Sequence, residues 1–135
     1  MIRVGVIGAA GRMGATVCNA VHADSDLELV AAVDPQSPGA TIHGVTIASE
    51  LRALADAKVD VAVDFTVADA ARVSLPWLAM HSMHAVVGTT GFTAGDLESF
   101  KKSFTNSNCL VAANFAIGAV LMMRFAEIEI GRAHV

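Results

Sequence analysis

Gly8, Gly11 and Gly14, spaced G-x-x-G-x-x-G, and Asp34 further along are the residues whose types and spacing can handle a nucleotide. A glycine turn leaves no side chain between backbone and ligand, so a pyrophosphate can reach the first amides of the helix that follows. Those N–H groups lack intrahelical partners and lie at the positive end of the helix dipole. Gly14 lets that helix pack closely on the strand before it. A carboxylate about 20 residues beyond the glycines suits the hydroxyls of a ribose. The usual G-x-G-x-x-G spacing is not met as written, because Ala9 stands where its first glycine would fall. A tight turn without a ligand is the alternative reading. The context favours the nucleotide: an apolar strand precedes the turn, a helical pattern follows it, and a second apolar strand ends in Asp34.

The elements that must position these residues follow from periodicity. Ile2, Val4, Val6 and Ile7 mark the first strand, and Met13, Val17, Ala20 and Val21 a helical stripe reaching His22, whose ring suits the helix dipole there. Asp24-Ser25-Asp26 ends that helix, and Leu27–Val33 is the second strand. Residues 35–44 form a loop, Val45–Ile47 a short strand, and Ser49 is the expected N-cap of the helix ELRALADA. Val59, Val61, Val63 and Phe65 mark a strand at the centre of a parallel sheet. Asp64 and Thr66 fall at its carboxyl end, where open α/β sheets bind ligands; Asp64 either caps the turn or serves the site. Asp69 is expected to cap a helix from Ala70 to Ser82 that Pro76 should kink or divide, with Trp77 as a packing residue. His84–Val87 is a strand running into Gly88-Thr89-Thr90-Gly91. Thr93 opens a helix with Leu97, Phe100 and Phe104 on one face. Cys109–Ala113 is a further strand, ended by Asn114-Phe115, and Ile117–Ala126 a helix in which Met122 and Met123 are core or interface residues. Alternation of this kind predicts a Rossmann-like, doubly wound α/β domain with a parallel sheet.

Bulk composition narrows the function classes. At 135 residues the chain suits one domain, and 54% apolar with 16% charged residues argues for a substantial core. A net charge of −4 and the absence of any Lys/Arg block argue against nucleic acid or a membrane as partner. The first residues form a strand and not a signal peptide, and the uncharged run Ser103–Met123 is broken by three asparagines, so a cytoplasmic protein is expected. Cys18 and Cys109 lie far apart in apolar patterns and read as buried, reduced thiols. No metal-ligand pattern stands out.

VIGAAGRMG, VDFT, HAVVGTTGF and AANFAIGAVLMM, in this order, resemble the nucleotide-binding domain of the 4-hydroxy-tetrahydrodipicolinate (dihydrodipicolinate) reductases over residues 2 to 126. That resemblance implies NAD(P)H-dependent reduction of a cyclic dicarboxylate in the diaminopimelate route to lysine. It carries the pyrophosphate contacts to Gly8, Ala9, Ala10, Gly11, Arg12 and Met13, and the adenosine ribose to Asp34. Gly88, Thr89 and Thr90 would lie by the nicotinamide half, with Ala112, Ala113, Asn114 and Phe115 closing the same side. Thr90 and Gly91 would also border the substrate. The family assembles as tetramers, largely through its second domain.

Two departures qualify the resemblance. Some family members place an Arg after the ribose acid to grip the 2′-phosphate of NADP, whereas this chain has Pro35. NADH is therefore the expected cofactor, with NADPH tolerated. The family's second domain carries a His-rich motif ending in Lys, and none of His22, His43, His81, His84 or His134 lies in such a setting. The chain is thus expected to be the cofactor domain only, residues 1–128, without catalytic residues of its own. Residues 129–135, EIGRAHV, read as the in-frame translation of a sequencing-library adapter. A non-catalytic, redox-sensing NAD module is the alternative.

Overall fold

β1 (Ile2–Ile7) divides its side chains between two apolar layers, and the computed structural model, which describes residues 1–111, contains both. Val4 and Val6 face one layer, with Val17, Cys18 and Val21 of α1 (Arg12–Ala23), while Ile7 joins the other. That other layer holds Leu54 of α2 (Arg52–Asp56), Leu75 and Leu78 of α3 (Ala68–Met80) and Phe100 of α4 (Ala94–Ser103). The same two-residue period runs through β5 (Val61–Asp64), with Val61 and Val63 on the α1 side and Ala62 opposite, and through β6 (His84–Val87). Strands covered on both faces need apolar residues on both, which explains their nearly unbroken apolar runs. Small residues let the helices close in: a Cβ on Gly5 would stand 2.5 Å from Leu54 Cδ2.

Pairing follows from this layering. β2 (Leu27–Val33) and β5 flank β1 in parallel. β4 (Val45–Ala48) extends the β2 side, and β6 with β7 (Cys109–Val111) extends the other, all parallel. β3 (Thr41–Ile42) adds an antiparallel edge to β4, giving the order β3-β4-β2-β1-β5-β6-β7. The chain builds one half of the sheet from β1 outward and then returns to β5, so the strand order reverses between β1 and β5. This is the Rossmann-like α/β architecture expected from the sequence. No helix among the described residues is long and apolar enough to cross a membrane.

Several local expectations give way to tertiary context. The loop before β4 contains β3, closed by a two-residue turn in which His43 and Gly44 both have positive φ, 49° and 79°. Asn19 Oδ1 lies 2.6 Å from His43 Nε2, and His22 stacks on His43 at 4.1 Å, so helix α1 supports that turn. Ser49 does not cap α2. The N-cap is Leu51, and the first amides fold tightly back, Ala53 N–H to the Glu50 carbonyl and Leu54 N–H to that of Leu51. Asp69 likewise lies inside α3, whose N-cap is Val67, because its carboxylate pairs with Arg72 three residues on. Pro76 does not divide α3. Leu75, Leu78 and Ala79 are buried on either side of it, and their burial holds the helix together across the missing donor. Leu97 is exposed, whereas Phe100 is buried, so the apolar face of α4 is narrower than expected.

Thr93 does open α4, through a reciprocal capping box with Asp96. Asp96 also receives Arg72 Nη2 at 2.9 Å, tying α4 to α3. The Arg72 hydrogen bond, helped by the Thr93 amide, lowers the Asp96 carboxyl from 3.8 to about 2. A depressed folded-state value stabilises the fold above the unfolded value and ceases to do so as pH falls through the folded one. The melting temperature should therefore decline between pH 4 and pH 2 partly on account of this group. Acid melts of Asp96→Asn should lack that part of the decline; an acid limb identical to wild type would refute the assignment.

Candidate nucleotide-binding site

The glycine turn is held by its neighbours before any ligand is considered. Gly8 has φ +83°, a left-handed conformation that costs other residues strain, and a Cβ there would stand 2.5 Å from the Phe65 carbonyl oxygen. The Gly8 and Ala9 amides both donate to the Val33 carbonyl, at 2.8 and 3.3 Å, which pins the turn to the end of β2. Ala10 N–H donates to Asp34 Oδ2 at 3.0 Å, and Gly11 N–H to the Gly8 carbonyl at 3.1 Å. The Ala9 side chain is buried in the core. All four amides from Gly8 to Gly11 are thus engaged within the protein.

Donors for an anion lie one step further on. The first backbone bond into α1 runs from Ala15 N–H to the Gly11 carbonyl, at 2.9 Å. The amides of Arg12, Met13 and Gly14 precede it and have no intrahelical acceptor. Both the Arg12 and Met13 side chains are exposed, so Met13 leaves the core stripe in which its spacing put it. Gly14 packs against the turn itself; a Cβ on it would collide with the Gly8 carbonyl oxygen.

Asp34 sits at the end of β2, 9% exposed. Its carboxylate accepts the Ala10 amide on one oxygen and the Gln36 amide, at 3.0 Å, on the other. This brace joins the glycine turn to the loop after β2, a link that sequence spacing did not announce. Between them opens a cleft of about 420 Å³. The glycine turn, the loop from Asp34 to Ser37 and the segment from Phe65 to Val67 line it, and among the described residues no lysine or arginine does.

The next strand ends carry a second polar centre. Asp64 is fully buried and accepts the Thr66 amide, the Thr66 and Thr89 hydroxyls and the Ser74 hydroxyl. Its capping role at the turn is therefore real. Thr89 is buried with its hydroxyl turned inward, whereas Thr90 is exposed, and Gly88 is fixed by its amide on the Asp64 carbonyl at 2.9 Å. Gly88, Thr89 and Thr90 do not line the cleft beside Asp34; they stand at the end of β6. Ala112, Ala113, Asn114 and Phe115, and the helix expected from Ile117 to Ala126, lie outside the described residues.

Among the described residues no group of three or more His, Cys, Asp or Glu could hold a metal. Burial raises the Cys18 thiol to about 11. Burial, together with the Asp64 charge, raises Cys109 to about 12. Cys18 is fully buried, as expected; Cys109, on the outlying strand β7, is only half-buried.

Comparison with known proteins is consistent across sequence and structure. The family model described as dihydrodipicolinate reductase, N-terminus, matches residues 2–115. A 4-hydroxy-tetrahydrodipicolinate reductase from Cutibacterium acnes is 45% identical over 130 residues, which cover 94% of this chain and 47% of that protein. The Nocardia farcinica protein of the same name is 45% identical over 129 residues, covering 93% and 47%. A dipicolinate-bound dihydrodipicolinate reductase from Paenisporosarcina sp. TG-14 superposes with a TM-score of 0.76 at 33% identity, over 95% of this chain and 53% of that one. GenD2 from gentamicin A biosynthesis, solved with NAD, shares the fold at a TM-score of 0.73 and 21% identity, over 84% of this chain and 35% of that one. The chain spans about half the length of the curated relatives it matches.

Proposed function

This chain belongs to the dihydrodipicolinate reductase family, and on that premise we propose that it is the NAD(H)-binding domain of a 4-hydroxy-tetrahydrodipicolinate reductase. The reaction is reduction of 4-hydroxy-tetrahydrodipicolinate to tetrahydrodipicolinate, with the cyclic dicarboxylate held largely by the family's second domain and the whole enzyme a homotetramer. When bound, the nicotinamide cofactor supplies the hydride. What this chain's own residues contribute is binding and orientation.

The observation that carries the proposal is Asp34, shielded from water yet bordering the cleft and braced by amides from two loops. A carboxylate so fixed has lone pairs left to accept the two hydroxyls of an adenosine ribose. The pyrophosphate falls to the amides of Arg12 and Met13 at the start of α1, with Gly8, Ala9, Ala10 and Gly11 shaping the turn beneath it. Gly88, Thr89 and Thr90, with Ala112, Ala113, Asn114 and Phe115, belong to the nicotinamide side. NADH is the preferred cofactor: a 2′-phosphate would meet the Asp34 charge in a cleft that no lysine or arginine among the described residues lines.

Titration of the purified 135-residue chain with NADH and NADPH, followed by cofactor fluorescence, tests this directly. Saturable binding is expected, tighter for NADH by about tenfold, or about 1.4 kcal/mol. A folded chain that bound neither nucleotide would reduce the glycine turn to a structural feature.

A further inference from the structure

We infer that Asp64 and Thr89 form a positioning pair that fixes the nicotinamide end of the site, a role that rests on the function proposed above. Asp64 ends β5 with no exposed surface, and among the described residues no lysine or arginine hydrogen-bonds to it or pairs with it. A buried carboxylate without a cation is expensive unless donors surround it. Here they do: Thr66 N–H at 3.0 Å, Thr66 Oγ1 at 2.6 Å and Thr89 Oγ1 at 3.2 Å reach one oxygen, and Ser74 Oγ at 2.6 Å the other.

Two of those hydroxyls have a second acceptor nearby. Thr66 Oγ1 lies 3.3 Å from the Val67 carbonyl, and Ser74 Oγ lies 3.5 Å from that of Ala71. Thr89 differs, since its other acceptor at 3.4 Å is the carbonyl of Asp64 itself, and its oxygen also receives the Thr66 amide at 3.1 Å. Asp64 and Thr89 together therefore link the loop after β5 to the turn after β6. The first of those loops lines the cleft through Phe65, Thr66 and Val67. The second presents Thr90 on the surface and turns at Gly91, with φ +91°. One buried anchor sets both, on the opposite side of β1 from Asp34 and β2. A dinucleotide spans the switch point with one half on each side. Losing the Thr89 hydroxyl frees the turn after β6, while Asp64 still accepts the Thr66 amide and hydroxyl and holds the loop that lines the cleft. The nicotinamide half is then disturbed and the adenosine half stays held.

The test compares NADH with ADP-ribose, which keeps the adenosine and pyrophosphate but lacks the nicotinamide, by calorimetry on the full 135-residue chain. Thr89→Val preserves side-chain shape and removes the hydroxyl; Asp64→Asn removes the charge and keeps an oxygen for Thr89. Thr89→Val should weaken NADH about tenfold while ADP-ribose stays within about twofold, and Asp64→Asn should hold both ligands within about threefold. A parallel loss of both ligands in folded Thr89→Val would indicate a structural role only and overturn the inference, as would unchanged NADH affinity. Should Thr89→Val fail to fold, Thr89→Ala decides: NADH weakened about tenfold with ADP-ribose within about twofold supports the anchor, and an equal loss of both ligands, or of neither, overturns it. Wild-type chain that bound neither ligand would overturn the proposed function, and this inference with it.

Discussion

Gly14→Ala is expected to be the most damaging substitution in the glycine turn, costing about 3 kcal/mol or more of stability and abolishing NADH binding. A methyl group there overlaps the Gly8 carbonyl oxygen and stands 2.7 Å from its carbon and 3.0 Å from Ala9 Cα. All three are backbone atoms, and none can rotate away. Relief requires lifting α1 from β1, which opens the layer containing Val17, Cys18 and Val21 and displaces the amides of Arg12 and Met13. Gly11→Ala should behave differently. Gly11 has an ordinary φ of −72°, and the nearest atom to an added Cβ is the Gly8 oxygen at 3.4 Å. The protein tolerates that methyl, but it enters the cleft that Gly11 lines. Its melting temperature should stay near wild type while NADH affinity falls about tenfold. Thermal melts and NADH titrations of the two variants decide the matter; equal melting losses would show that Gly11, like Gly14, is required only for packing.

The parts of this architecture legible in the sequence are those governed by local chemistry repeated over several residues. Val4 and Val6 against Ile7, and Val61 and Val63 against Ala62, declare strands covered on both faces because each residue's layer depends only on the pleat. The helix after Thr93 was readable from the spacing of its apolar residues, and Thr93 itself caps it in a reciprocal box with Asp96. Ser49 and Asp69 carry the same capping chemistry, yet a tight first turn and an arginine three residues on displaced them. His43 is a poor composition signal for a left-handed turn, and its support from Asn19 and His22 comes from 24 and 21 residues away. For the site, the glycines and Asp34 were visible as types at spacings. Which amides remain available was not, because that depends on Val33 and Asp34 reaching back across the sheet. Asp64 was visible only as a strand-end acid, since its partners Ser74 and Thr89 lie 10 and 25 residues away.

Asp34→Ala should weaken NADH binding about 100-fold, roughly 2.8 kcal/mol, and NADPH binding considerably less. Two effects combine for NADH. The ribose hydroxyls lose their acceptor, and the Ala10 and Gln36 amides lose theirs, at 3.0 Å each, which loosens the turn under the pyrophosphate. Bonds to a carboxylate are among the stronger ones, about 1.5–3 kcal/mol apiece. For NADPH the loosened turn matters equally, but removal of the negative charge relieves repulsion of the 2′-phosphate and offsets part of the loss. Asp34→Asn separates the two effects. Its amide oxygen still accepts one of the two backbone N–H groups and its volume is unchanged, so part of the brace is kept while the charge is gone. The ratio of NADPH to NADH dissociation constants, about ten for wild type, should fall towards one in Asp34→Asn. If Asp34→Asn instead retained the full preference for NADH, the carboxylate would be acting solely as the brace between two loops, and cofactor choice would have to be set by other residues along the cleft.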